Sequence, residues 1–328
     1  MGRGRARRAR LGLAARGARA GALLALALAA LPAEGAGPGL APPSPAGPAH
    51  EPIAPIPAPP PSDPLRVALG EALFHDRRLS GDGSRSCASC HDLTANGATA
   101  AALDRGADGR PLPVNTPTVF NAALSFRLNW EGRARTLKDH AAASLLNPAI
   151  LAASPEDVAA RLAADKALSD RFRAAYGREP DAEALVDALA VFEASLLTPD
   201  SRFDRWLRGE AAALSPLERQ GYDLFKSVGC ISCHQGVGVG GNLFQRHGVF
   251  EPLASPEPAV VRVPSLRNVA VTAPYFHDGG AATLREAVAR MARSQLGVRL
   301  PEAEVAAIAA WLGALTGEWR GRPLEAPR

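Results

Sequence analysis

The sequence predicts an all-α protein with long loops, organised as two halves. Three observations lead there. Apolar residues recur at helical spacing behind explicit helix-start signals in most of the chain. No alternating run has the length of a convincing strand, although "VVRVPSL" can pair locally. All four cysteines of the 328 residues fall into two copies of one pattern, Cys87-Ala-Ser-Cys90-His91 and Cys230-Ile-Ser-Cys233-His234.

From the amino terminus, residues 1–36 read as a secretory signal: an arginine-rich start, the apolar run "GALLALALAALPA", then small residues with cleavage expected near Gly35 or Ala36. An uncleaved membrane anchor is the alternative, and Arg7-Arg8 hints at a twin-arginine route. Removing the seven Arg and one Glu of this leader from 37 basic and 33 acidic residues leaves 30 against 32. The mature charge is then near −2, which excludes a basic nucleic-acid surface. Residues 37–63 form a Pro/Ala/Gly tether, extended or disordered. An N-terminal domain over 64–198 and a C-terminal domain over 199–316 follow, with the seam near 198–212 and a tail at 317–328.

The helices announce themselves. The stretch 154–177 opens on Ser154 as N-cap with Pro155 in the first turn and closes on Gly177. "DAEALVDALAVFEASLL" carries an apolar stripe through Leu185, Leu189, Phe192 and Leu196. Ser215 with Glu218 makes a capping box before the helix that leads into the second cysteine motif. "TLREAVARMARSQLG" and "PEAEVAAIAAWLGALTG" complete the set.

C-x-x-C-H is the c-type haem attachment signature. Two thiols three positions apart can add across the two vinyl groups, and the adjacent histidine ligates the iron from below. Disulfides would be strained at this spacing, and one shared zinc site would have to span 139 intervening residues. Each half therefore reads as a c-type cytochrome domain with one covalently bound haem, on Cys87, Cys90 and His91 and on Cys230, Cys233 and His234. Attachment of such haems to an unfolded exported chain favours the general secretory route and a periplasmic location.

Each iron has one more axial position. Apart from Met1 the chain has a single methionine, Met291, 57 residues after His234. A lone helical methionine is usually a core residue; here a haem needs a ligand and the candidate is unique. His/Met ligation raises the reduction potential, which suits the second haem to receiving electrons. The loop after the first motif, residues 92–115, contains no His, Met, Lys or Tyr, so the first iron is expected to keep an open position.

The series "RLSGDGSRSCASCHDL", "NTPTVFNAA", W-x-GRA-x-TL, "SLLTPDSRFDRWL", "GCISCHQGVGVGGNLFQ" and "VPSLRNVAVTAPYFHDG" strongly resembles the bacterial di-haem cytochrome c peroxidases, in order, across residues 64–315. The MauG-type enzymes, which oxidise residues of a partner protein, share the plan. The resemblance implies a peroxidatic first haem, and a second haem that takes electrons from a small periplasmic cytochrome c or cupredoxin to reduce hydrogen peroxide. It implies that Trp130 bridges the haems, where the alternative is a core aromatic. It also implies an interdomain Ca2+ held by Asn115 and the carbonyls of Thr272 and Pro274, residues that otherwise shape turns. His277 matches a family histidine beside the second haem and is expected to hydrogen-bond there rather than ligate, because Met291 already fills the position. A homodimer is allowed for.

Three departures fall on the first haem. Ala107 stands where the family has a histidine that caps the iron, His140 where it has a glutamine, and Ile150 where it has its acid–base glutamate. Peroxide cleavage needs a group that takes a proton from one oxygen and returns it to the other. Isoleucine cannot, whereas a neutral imidazole can. His140 is the candidate acid–base; binding the first iron directly, or no role, are its alternatives. His50, His75 and His247 default to surface residues. The peroxidase reading leads, with a MauG-like oxidase or a non-enzymatic electron carrier as alternatives.

Overall fold

Every stretch expected to be helical contains helix in the computed structural model, which describes residues 51–327. The leader, the tether up to His50 and Arg328 lie outside the described residues. Helix α1 (Pro64–Phe74) starts where Asp63 accepts from the Leu65 amide; α2 (Leu137–Leu146) starts on a Thr136/Asp139 capping box. The stretch 154–177 is two helices rather than one, α3 (Pro155–Ala163) and α4 (Lys166–Tyr176). The break has a local cause: Asp165 turns its carboxylate onto the amides of Ala167 and Leu168, capping a new helix, and also binds Arg78 at 2.9 Å. Then follow α5 (Ala182–Ser195), α6 (Arg202–Leu207), α7 (Pro216–Val228), α8 (Leu284–Leu296) and α9 (Glu302–Gly313). The capping box of Ser215 and Glu218 opens α7. "VVR" does pair locally: β2 (Val260–Arg262) runs antiparallel to β1 (Phe244–Arg246), and a second two-stranded pair, β3 (Glu318–Trp319) and β4 (Arg322–Pro323), lies near the carboxyl terminus. The described chain is mostly helical. None of its helices is long and apolar enough to cross a membrane.

Two apolar cores divide between Leu196 and Phe203. Each is built around one crossed helix pair, and the two pairs use the same device. A Cβ on Gly70 of α1 would sit 2.0 Å from the Ala188 carbonyl of α5, and one on Gly221 of α7 would sit 1.9 Å from the Ala307 carbonyl of α9. Only glycine lets these backbones approach so closely. One turn later Phe74 packs on Phe192, and Phe225 on Trp311.

The correspondence extends through the segments between those pairs at a constant shift of 147 residues. Asn121 and Asn268 both take the left-handed conformation, at φ 62° and 63°, and both donate their amides to the Thr198 hydroxyl, at 2.7 and 3.0 Å. Asn129 and Phe276 are left-handed at 68° and 72°. Isolated bridges Leu128–Ala134 and Tyr275–Ala281 close matching loops, and Thr136 and Thr283 cap α2 and α8. Residues 121–136 and 268–283 thus repeat one frame.

The chain ends depart from expectation. The tether is extended but not free over residues 51–56. Ile53 and Ile56 are buried, Ile53 within the second core. Glu51 accepts from the Tyr222 hydroxyl at 2.5 Å, Arg267 donates to the Ala54 carbonyl at 2.8 Å, and the Ile56 amide donates to Asp204. The segment read as a tail crosses the other way, with Leu324 and Trp319 packed on the first core. Isolated apolar residues inside proline-rich or short terminal stretches carry these contacts.

Candidate active site

Each cysteine motif forms a single tight turn. The amides of Cys90 and His91 donate to the Cys87 carbonyl at 3.2 and 3.0 Å, and those of Cys233 and His234 to the Cys230 carbonyl at 3.2 and 3.1 Å. This winds both thiols and the histidine of a motif onto one turn. The four thiols are unpaired, and no cluster of His, Cys, Asp and Glu suited to a metal ion forms among the described residues. Burial pushes the Cys87 and Cys230 thiols up to about 12 and about 11, so they stay protonated.

Both histidines are oriented from behind. His91 Nδ1 donates to the Gly97 carbonyl at 3.0 Å and His234 Nδ1 to the Val239 carbonyl at 3.3 Å, leaving each Nε2 as the free ligating atom. Burial lowers the pKa of His91 and brings that of His234 down to about 4, so both rings are neutral, the form that binds iron.

A continuous cavity of about 1010 Å³ opens over both motifs, at the upper limit for a single small-molecule site. Its walls are largely apolar: Phe74, Leu145, Ile150, Leu151 and Leu189 on the first side, Phe225, Leu284, Val288, Leu300 and Ile308 on the second. Paired inward thiols, a pre-oriented neutral imidazole and apolar walls of this size fit one haem on each side.

The equivalent helices α2 and α8 face the cavity with different residues. Met291 lines the second side, eight positions after the Thr283 cap. Eight positions after Thr136, the first side has Ser144, a poor ligand for iron. Four positions after the caps stand Ala287 and His140. His140 lines the cavity, and its Nε2 lies 2.9 Å from the Asn129 Oδ1. Burial, and after it the nearby His91, bring its pKa down to about 4. Ile150 lies on the same wall, and the Ala107 amide donates to the Ala149 carbonyl at 2.9 Å.

Trp130 stands at the junction. Its Nε1 donates to the Asn115 carbonyl at 2.8 Å, the Asn115 amide donates to the His277 carbonyl at 2.7 Å, and the indole meets the His277 ring edge-on at 6.0 Å. In the repeated frame Trp130 and His277 are equivalent positions. The buried His277 ring donates from Nε2 to the Ser255 carbonyl at 3.0 Å, so its polar contact is to backbone. Asn115, Thr272 and Pro274 line the cavity near this junction; Asn115 spends its amide hydrogens on the carbonyls of Ala101 and Ala102.

His75 is exposed, as read, and His50 lies outside the described residues. His247 is half-buried. It lines the cavity, donates to the Pro258 carbonyl at 2.9 Å and packs on His277 at 4.8 Å. Sequence reasoning also passed over Glu193 on α5. It is buried, lines the cavity beside Leu189 one turn earlier, and is pushed up to about 8 by burial alone. Its signal was an acid next to Phe192 on the buried face of an otherwise apolar helix. Asn129 was missed too, because nothing in a sequence marks a left-handed asparagine as the partner of a histidine eleven residues away.

Known proteins resemble this chain in sequence and in fold. The profile of the di-haem cytochrome c peroxidases matches residues 64–212. The cytochrome c551 peroxidase of Nitrosomonas europaea is 41% identical over 285 residues, covering 82% of this chain and 85% of that protein. The cytochrome c peroxidase Ccp of Escherichia coli is also 41% identical, over 286 residues; the match takes in 82% of this chain but 62% of that longer protein. Among solved structures, a MauG-like protein associated with microbial copper homeostasis superposes with a TM-score of 0.71 at 27% identity, covering 81% of this chain and 93% of its own. Shared by sequence along most of its length and by fold, the membership is plain: this chain belongs to the di-haem cytochrome c peroxidase family.

Proposed function

We propose that this protein reduces hydrogen peroxide to water with electrons from a small cytochrome c or cupredoxin, in the periplasm after export on the leader at residues 1–36. One c-type haem would be held by each half, so that each is a cytochrome domain, 64–198 and 199–316. The observation that carries this reading is the contrast within one frame: Met291 on one side, Ser144 with His140 on the other. The Met291 thioether would hold the iron of a haem bound on the second side and suit it to taking electrons. Ser144 offers an iron no comparable donor, so a haem on the first side would be left able to take a small ligand.

The bound haems supply the redox chemistry, drawing two electrons from the donor for each peroxide. The residues supply protons, order and dryness. Converting one peroxide to two waters also consumes two protons, and the first transfer moves one from the oxygen that binds to the oxygen that leaves. A ring nitrogen of His140 does this, being neutral at any pH above about 4. Leu145, Ile150 and Leu151 exclude bulk water from the same wall. Trp130, keyed to both halves through Asn115 and His277, bridges the two sites. Asn115 Oδ1 and the carbonyls of Thr272 and Pro274 supply hard oxygen donors for a Ca2+ at the junction.

The same features weigh against the alternatives. Iron ligation by His140 Nε2 competes with its hydrogen bond to Asn129. A MauG-like oxidation of a partner protein draws support from Ile150 in place of the usual carboxylate, while Met291 favours ordinary electron input. Electron paramagnetic resonance of the fully ferric protein, before and after one equivalent of peroxide, tests the proposal. A high-spin signal that peroxide abolishes is expected. Two low-spin signals indifferent to peroxide, before and after half-reduction, would leave an electron carrier. Steady turnover with reduced cytochrome c then separates the peroxidase from the partner-protein oxidase.

A further inference from the structure

We infer that Asn129 is a positioning residue for peroxide cleavage: its amide oxygen holds the Nε2–H of His140, leaving Nδ1 as the lone pair that receives the peroxide proton. This rests on the peroxidase reading and extends it from one residue to a pair.

The argument begins with the atoms. Asn129 Oδ1 can only accept, so at 2.9 Å the His140 Nε2 must be the donor. A neutral imidazole carries one hydrogen. With that hydrogen committed to Asn129, the tautomer is set and the other nitrogen is bare. Without such a partner a buried neutral histidine divides between two tautomers and ring flips, and only some of them present a base.

The backbone of Asn129 is arranged for this contact. Its φ of 68° lies in the left-handed region, which asparagine tolerates better than most residues. Its carbonyl is tied down by the Gly132 amide at 3.2 Å and by Arg262 Nε at 3.3 Å. The next residue is Trp130, whose carbonyl accepts from the Arg262 amide at 2.7 Å. The amide oxygen is therefore mounted on a loop fixed from both sides.

The second half supplies an internal control. The same left-handed loop and helix recur there, with Phe276 at the position of Asn129 and Ala287 at that of His140. Both polar members are absent together where Met291 leaves no open position to serve. The fold does not need the pair, so folding does not explain it.

In the step itself the peroxide O–H bond breaks, its proton goes to Nδ1 and its electron pair stays on oxygen. The O–O bond then breaks as that proton is returned to the departing oxygen, which leaves as water; the oxygen left behind takes two electrons from the reduced donor and two protons from solvent to become the second water.

Asn129→Gly is the informative variant. Glycine adopts the left-handed conformation freely, so the loop is kept while the acceptor is deleted. Asn129→Asp retains an acceptor at the same place. Two rates are measured on the holoenzyme: peroxide turnover, and association of hydrogen cyanide with the ferric protein, which must also lose a proton on binding. The expected result for Asn129→Gly is a fall of roughly tenfold or more in both rates, within the range that acid–base groups contribute, with an unchanged melting temperature. Asn129→Asp should recover most of it. Combined with His140→Ala, Asn129→Gly should add nothing further, because the two act as a unit. Wild-type rates for Asn129→Gly, or full additivity in the double variant, overturn the inference while a slow His140→Ala leaves the peroxidase reading standing. Wild-type rates for His140→Ala would overturn the inference together with the acid–base role of His140, whereas a wild-type holoenzyme that does not turn over peroxide would remove the peroxidase reading itself.

Discussion

Ser144 and Met291 occupy the same turn of equivalent helices, and the division of labour proposed here hangs on what those two side chains offer an iron. Hence a reciprocal exchange is the sharpest test at this scale. Ser144→Met should convert the first haem to a six-coordinate, low-spin state and suppress peroxide turnover by about a hundredfold or more, the order lost when an acid–base site is blocked. Met291→Ser should instead open the second haem and lower its potential, slowing reduction by the donor while the first haem still binds peroxide. Spin state by electron paramagnetic resonance and potential by redox titration check both; a Ser144→Met protein that stays high-spin would mean the two positions do not address their irons alike. The residues proposed to hold the haems were legible because their chemistry is rare. Four cysteines in two motifs and one internal methionine leave few assignments. Asn129, Glu193 and His247 were not, since their roles come from burial and from neighbours brought together only by the fold.

Among elements, local chemistry carried most of the information. The capping boxes at Thr136 and Ser215 and the left-handed stops at Gly177 and Gly297 are side-chain and backbone effects confined to a few residues, so they can be read before any tertiary structure is known. The break at Asp165 also has a local cause, but it competes with a helical pattern that runs through it on both sides. The terminal straps had no local signal at all. Proline-rich composition describes residues 51–56 correctly as extended, yet their docking depends on the buried Arg267–Asp204 pair at 2.8 Å, which receives the strap's backbone, and on the pocket that takes Ile53. Removing that anchor should be costly. Ile53→Ala is expected to destabilise the protein by about 2–5 kcal/mol, the usual range for truncating a fully buried aliphatic residue. Denaturant unfolding of the holoprotein checks this; a change below about 0.5 kcal/mol, the range of surface substitutions, would mean the strap is only resting on the second core.

At the scale of the whole molecule, the two copies of one frame meet through residues that differ between them. Trp130 and His277 are equivalent by position and touch each other, so the junction places an indole from one half against an imidazole from the other. Only the indole is hydrogen-bonded to Asn115, whose amide in turn reaches the His277 carbonyl. Trp130 therefore has two separable functions, packing the junction and bridging it. Trp130→Phe keeps an aromatic ring there but deletes the Nε1 donor and the electron-rich indole. If bridging matters, the spectra of both haems should be retained while transfer from the reduced second haem to peroxide slows by roughly tenfold, about 1.4 kcal/mol in the barrier. Stopped-flow oxidation of the half-reduced enzyme by peroxide measures this directly. An unchanged rate would assign Trp130 to packing alone, and the route between the halves would then have to run past the neighbouring His277–His247 pair, whose rings lie 4.8 Å apart on the second side of the same cavity.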